Sequence, residues 1–284
     1  MSQAPKPSVR RITASRLAVL ADSLTSGELA VLRVLGTVHL ATAAQVARVA
    51  FADYQPTTAR PLAHRNLRRL IDCGLVRRYR DLSRQRWPGK PGYVHVLTPV
   101  GTKLIGATNV PGAGKRRDWR PADAFLTHRL AITELYVRLA ERARDGTSEV
   151  IEFQAETAAW RVYRNPMTYG QEYCRPDALV RLRVEDQPRL NWFVEIDRAT
   201  EPPKRLDEKC RVYRAYELTG VEQERHRVFP GVMFIVPDEA RAAVIRHVVT
   251  QQPADAQGLF VVTTEAAAVE ALHQPLPAAT TSNT

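Results

Sequence analysis

The positive charge of this chain stops almost at a single point. Residues 1–122 carry 21 Lys+Arg against 6 Asp+Glu, a net of +15, whereas residues 123–284 carry 20 against 24, a net of −4. A step of that size predicts two modules with different partners. Between them, Ala107–Pro121 (ATNVPGAGKRRDWRP) is rich in Gly, Pro and basic residues and has no apolar period, the composition of a linker. Its GAGKRR fragment lacks the full phosphate-loop spacing, and Arg116 stands where that loop needs a hydroxyl. With 284 residues the chain is long enough for two cores, and 44% apolar residues exclude a wholly disordered polymer. The overall charge of +11 points to a polyanionic partner.

The expected layout is a disordered basic arm over 1–20, a first domain over 21–106, the linker over 107–121, a second domain over 122–273 and a disordered tail over 274–284. Three cysteines without a CxxC pair argue against a disulfide framework and for a reducing, cytoplasmic address, associated with nucleoid or plasmid. No apolar run reaches the ~20 residues of a membrane span, so no membrane partner is expected. The seven histidines show no zinc-ligand spacing, and His128 reads as a structural hydrogen-bonding residue.

In the basic half, Leu29, Leu32 and Leu35 recur at helical spacing behind Thr25 and Ser26. A second helix begins near Thr42. A third spans Thr58–Cys73, with Pro61 in its first turn, a buried stripe of Ala63, Leu67, Leu70 and Ile71, and Gly74 as its terminator. The other side of this third helix carries Arg60, His64, Arg65, Arg68 and Arg69. A strand with Arg77 and Arg78 follows, then a loop with Arg84, Arg86 and Lys90, then a second strand over Tyr93–Thr98. Three helices and a basic-tipped hairpin resemble a winged helix-turn-helix domain. Such a domain sets a helix in the major groove of double-stranded DNA, where guanidinium groups clamp phosphates or pair with guanine. The alternative is a merely solvated basic face.

The second half opens with an amphipathic helix over Asp123–Arg144. A strand near Glu149–Phe153 precedes two that carry chemistry: Arg175–Val184, which opens on Pro-Asp, and Leu190–Asp197, which contains Glu-x-Asp. Alternation places Glu195 and Asp197 on one face of the latter. Carboxylates on adjacent strands make a hard-oxygen site for Mg²⁺, and a nearby lysine supports phosphodiester hydrolysis. Glu134, Glu152 and Glu156 are further acids that could complete the site, while Trp160 and Tyr163 read as core or loop packing.

This order of elements resembles the PD-(D/E)xK nuclease superfamily, which implies a mixed α+β or α/β chain whose second domain is a restriction-endonuclease-like α/β/α unit. Asp177 matches the motif's aspartate and Glu195 its second acid, while Asp197 stands where the motif has lysine. Three readings stay open: Lys209 reaches in from the following helix, with Asp177, Glu195 and Asp197 holding the metal; the site is degenerate and only binds; or the acids are solvated sheet edges. The run FVEIDRATEPPKRLDEKCRVYRAY, preceded by RPDALV and HRLAITELYVRL, is also similar to the replication-relaxation proteins of actinobacterial plasmids and integrated elements. That resemblance implies a DNA-binding protein tied to replication or topology of mobile DNA and supplies no catalytic activity of its own; the metal-dependent endonuclease is what the PD-(D/E)xK resemblance implies. The rival it leaves open is a non-catalytic regulator that dimerises or recruits replication proteins.

Overall fold

The computed structural model describes residues 14–80, 92–106 and 123–276. Helix α1 (Ala14–Asp22) takes up only the last seven residues of the segment expected to be a disordered arm, and residues 1–13 lie outside the described residues. Helix α2 (Ser26–Val38) starts on a reciprocal cap: the Thr25 hydroxyl accepts from the Glu28 N–H, and Glu28 accepts from the Thr25 N–H at 2.8 Å. Strand β1 (Leu40–Thr42) leads into α3 (Ala43–Ala50), which repeats the device with Thr42 and Gln45.

Helix α4 (Pro56–Asp72) begins two residues before the expected start, with Pro56 in its first turn. Pro61 therefore lies inside the helix and not in its first turn, and it offers no N–H to the Thr57 carbonyl four residues earlier. The helix ends on Gly74 at φ +72°, where the Leu75 and Gly74 N–H groups bond the Leu70 and Ile71 carbonyls, both at 2.9 Å. Strands β2 (Val76–Arg80) and β3 (Tyr93–Leu97) complete an antiparallel sheet of order β1-β3-β2, followed by α5 (Pro99–Leu104). Arg84, Arg86 and Lys90 of the basic loop, the linker at 107–121 and residues 277–284 lie outside the described residues.

The second part begins with α6 (Asp123–Arg142) and strand β4 (Ser148–Ala155). A short hairpin of β5 (Arg161–Arg164) and β6 (Gln171–Cys174) stands apart as its own two-stranded sheet. Then come β7 (Ala178–Val184), β8 (Leu190–Ile196), α7 (Pro203–Glu217), α8 (Val221–His226), β9 (Gly231–Val236), α9 (Glu239–Thr250), α10 (Ala254–Gln257), β10 (Phe260–Thr264) and α11 (Ala268–Leu272). The five-stranded sheet has the order β10-β9-β8-β7-β4, parallel from β10 to β8 and antiparallel beyond. The chain is thus a mixed α+β protein.

Alternation splits the sheet residues between two cores. Val180, Trp192, Val194 and Ile196 face one side, with Ile132, Leu135 and Leu139 of α6 and Leu272 of α11. Leu179, Phe193, Val232 and Phe234 face the other, with Leu206, Cys210 and Tyr213 of α7 and Ile245 of α9. At Gly231 the backbone runs so close to Trp192 that an added Cβ would lie 2.6 Å from its ring.

The first of these cores does not stop at the boundary between the basic and neutral halves. It runs without a break into Val31, Leu35, Ala41, Val46, Leu67 and Leu70. Helix α6 is the shared wall, which explains why its apolar face is so broad. Polar ties reinforce it: Thr133 donates to the Leu40 carbonyl at 2.7 Å, and Arg48 bridges Glu134 and Glu141 at 2.6 and 2.5 Å. Arg129, 2% exposed, pairs with Glu156, which also faces His39. Among the described residues no helix is long and apolar enough to cross a membrane.

Candidate active site

Strands β7 and β8 run antiparallel with Ala178 opposite Val194 and Leu179 opposite Phe193. Asp177, just before β7, continues the ladder by donating its N–H to the Val194 carbonyl at 2.9 Å. It therefore falls opposite Glu195 and on the same face. Asp177 Oδ2 accepts the Ile196 N–H at 2.8 Å, and its Oδ1 lies 2.9 Å from His128 Nε2 on α6.

Helix α7 covers this face. Lys209 and Tyr213 are four residues apart and point the same way. Lys209 Nζ lies 2.8 Å from Glu195 Oε2 and 3.0 Å from Glu201 Oε1. The Tyr213 hydroxyl donates to Glu195 Oε1 at 2.6 Å. Glu195 is 3% exposed, at the floor of a cleft of about 420 Å³ lined also by Tyr173, Arg175, Arg205, Lys209 and Tyr213.

These contacts set the protonation states. Burial pushes the Glu195 carboxyl up, and the Asp177 charge adds to it; Lys209 and Tyr213 pull the other way, leaving it at about 7. Burial alone would weaken the Lys209 ammonium, but the Glu195 and Asp177 carboxylates outweigh it and hold the group charged. For His128, burial is likewise outweighed by the hydrogen bond and charge of Asp177, so its imidazole is raised above the ordinary value. The Tyr213 phenol is driven far up by burial and by Glu195, and stays a donor.

Asp197 does not join this cluster. Its Oδ2 takes Arg241 Nε at 2.7 Å, and its Oδ1 accepts the Ala199 N–H at 2.6 Å. The expected three-carboxylate set is thus two carboxylates plus a buried ion pair elsewhere. Glu134 is committed to Arg48, Glu152 to Arg181 and Glu156 to Arg129. Among the described residues no group of three or more His, Cys, Asp or Glu is arranged around a metal position. Glu201 and Tyr213 are the members that sequence reasoning missed, while His128, expected as a hydrogen-bonding residue, makes its bond to Asp177. Only Tyr213 had a signal, its i+4 spacing from Lys209.

On α4, Arg60, His64, Arg65 and Arg68 are exposed and make no ion pair among the described residues. Arg69, by contrast, is turned back onto the fold, with Nε 3.1 Å from the buried Glu28 carboxylate and Nη2 donating to the Ser23 carbonyl. Arg78 lies over the Tyr93 ring at 4.8 Å, and Arg77 donates weakly to the Tyr79 hydroxyl at 3.5 Å. Tyr163 is buried as expected of a packing residue, but Trp160 is 40% exposed beside Arg175.

The class that emerges is a mixed α+β protein with a basic helical module fused to a sheet that carries an acid–lysine cleft. The chain belongs to the replication-relaxation family, whose family model matches residues 32–232 and so spans both the basic helix and the cleft. Neither the curated proteins nor the solved structures searched contain a match to it.

Proposed function

We propose that this protein acts in replication or relaxation of plasmid or other mobile DNA, gripping duplex DNA through α4 and cutting a strand at Asp177, Glu195 and Lys209. In this reading α2–α4 with β1–β3 form a winged helix-turn-helix, and the sheet from β4 to β10 with its helices is a PD-(D/E)xK nuclease-like unit. The observation that carries it is Lys209: the helix supplies an ammonium 2.8 Å from Glu195, where the strand itself offers only Asp197.

The donor set suits Mg²⁺. That ion is commonly held by one or two carboxylates together with water and substrate phosphate, and Asp177 and Glu195 are two hard-oxygen donors from adjacent strands. In addition, Glu201 Oε2 is buried with no hydrogen-bond partner among the described residues, so the cluster retains an uncommitted acceptor. A bound Mg²⁺ would offset the phosphate charge and make a water more acidic. Lys209 would offer its ammonium to a phosphate oxygen in place of one carboxylate contact. His128 orients Asp177 through its 2.9 Å hydrogen bond. Arg175 and Arg205, at the walls of the cleft, supply positive charge for the flanking backbone.

A second reading has its own support: both Glu195 oxygens are already engaged, by Lys209 and Tyr213, as in a cluster that only stabilises a regulator of replication. A supercoiled-plasmid assay with Mg²⁺ or Mn²⁺ separates the two. Nicked or linear product from the wild type, abolished in Asp177→Asn, is the expected result. Intact duplex binding without cleavage under either metal favours the regulator.

A further inference from the structure

The hairpin of β5 and β6 turns only one side to the core. Tyr163 and Cys174 are buried against Phe193 and Tyr216. The other side leaves large apolar groups in water: Val162 and Tyr173, directly opposite each other in register, are 58% and 45% exposed, and Met167 and Tyr169 at the turn are 78% and 70% exposed. A cluster of that kind marks an interaction surface.

Arginine is interleaved with these rings. The Arg175 guanidinium lies 5.0 Å from the Trp160 ring and 4.9 Å from the Tyr173 ring, so it is held between them. Arg164 lies over Tyr169 at 5.9 Å. Tyr173 and Arg175 also line the cleft that contains Glu195 and Lys209, so the strip leads into the acid–lysine cluster.

We infer that this face is a stacking platform for a single-stranded stretch of DNA, which it guides into the cleft. Exposed rings with guanidinium groups between them match unpaired bases, which stack on the rings, and the phosphates that alternate with those bases. Bases within a duplex have both faces covered by their neighbours and cannot use such a surface. This inference rests on the reading of DNA as the partner and specifies its form at the cleft: unpaired, as it is where duplex has been opened.

The test uses the full-length chain in EDTA, so that no cleavage contributes. A fluorescently labelled 20-mer of thymidylate is titrated by anisotropy at several salt concentrations, beside a duplex of the same length. Trp160→Ala and Tyr173→Ala should each weaken single-strand binding by about tenfold with an unchanged salt slope. Arg175→Gln should flatten the slope by about 0.7. Duplex affinity should stay close to wild type in Trp160→Ala and Tyr173→Ala, because stacking on a ring needs an unpaired base.

Single-strand affinity that both ring variants leave unchanged overturns the inference, as does a wild type that does not bind the oligonucleotide at micromolar concentration. Trp160-dependent binding to phosphatidylserine vesicles without oligonucleotide binding overturns it in favour of a lipid surface. Failure of the plasmid-cleavage assay leaves this measurement unaffected, so the two readings fall separately.

Discussion

Arg60, His64, Arg65 and Arg68 on α4 stand in water with no ion pair among the described residues, whereas Asp177, Glu195, Glu201 and Lys209 lie in or beside a cleft where each touches another polar group. The first arrangement costs the fold little and leaves these side chains available for an external polyanion. The second works against burial, and that opposition moves Glu195 to about 7 and keeps Lys209 charged. On the proposed reading, charge held out for a partner and charge turned inward for chemistry occur in one chain, and they should respond differently to substitution.

The sharpest way to break the comparison uses two acid–base pairs whose acids, Glu195 and Asp197, lie at and just beyond the end of β8. Asp197→Asn strands Arg241, whose side chain is 12% exposed, and should cost about 3–5 kcal/mol in denaturant unfolding. Lys209→Met should instead leave a folded protein that cleaves plasmid about 10²- to 10³-fold more slowly. If both substitutions act on stability alone, Lys209 is a structural partner like Arg241.

Glu195→Gln tests whether the cleft is held against its own electrostatics. Because the folded value of about 7 exceeds the ordinary 4.5, stability from this group is complete below about 4.5 and is lost as pH rises through 7. The variant should match wild type in melting temperature near pH 4 and exceed it at pH 8. The gain is on the order of 2–3 kcal/mol for a fully buried group, seen as several degrees by calorimetry. An equal melting temperature at pH 8 means Lys209 already neutralises the cost.

On α4 the expected effects are smaller and of a different kind. Arg65→Ala/Arg68→Ala should lower duplex affinity about tenfold near physiological salt and flatten the salt slope by about 2, with the melting temperature unchanged. Arg69→Ala should do the reverse and least of all: it removes the partner of buried Glu28, at about 1 kcal/mol of stability, and leaves the slope nearly intact. A slope change in Arg69→Ala matching that of the double variant erases the distinction drawn between the two faces of this helix.

Much of this was legible locally. The Thr25/Glu28 and Thr42/Gln45 spacings announce helix starts because the reciprocal hydrogen bonds need only residues three apart. Gly74 announces a stop because its positive φ suits glycine. That Asp177 and Glu195 sit on neighbouring strands was legible, but their shared face needed the antiparallel register that only the folded sheet supplies. Asp197 followed strand alternation and still went elsewhere, because its partner Arg241 is 44 residues away and no spacing rule reaches that far. The β5–β6 hairpin escaped notice for the opposite reason: it exposes Val162, Tyr169 and Tyr173, so it lacks the apolar–polar rhythm by which strands are recognised. Pro61 was misplaced because Pro56 offers an equally good helix start five residues earlier.

The unbroken core that passes from Leu35 and Ala41 through α6 to Val180 and Trp192 has a bearing on how such a protein changes over time. A binding module joined by a true hinge could be traded for another with a new target site. Here a trade that ended in the linker would bring a foreign module against an α6 already shaped to Val31, Ala41 and Val46, with Arg48 no longer set against Glu134 and Glu141. If α4 reads DNA as proposed, new target specificity is expected to arise by substitution on its outer face, within one inherited frame, and not by exchange of whole halves.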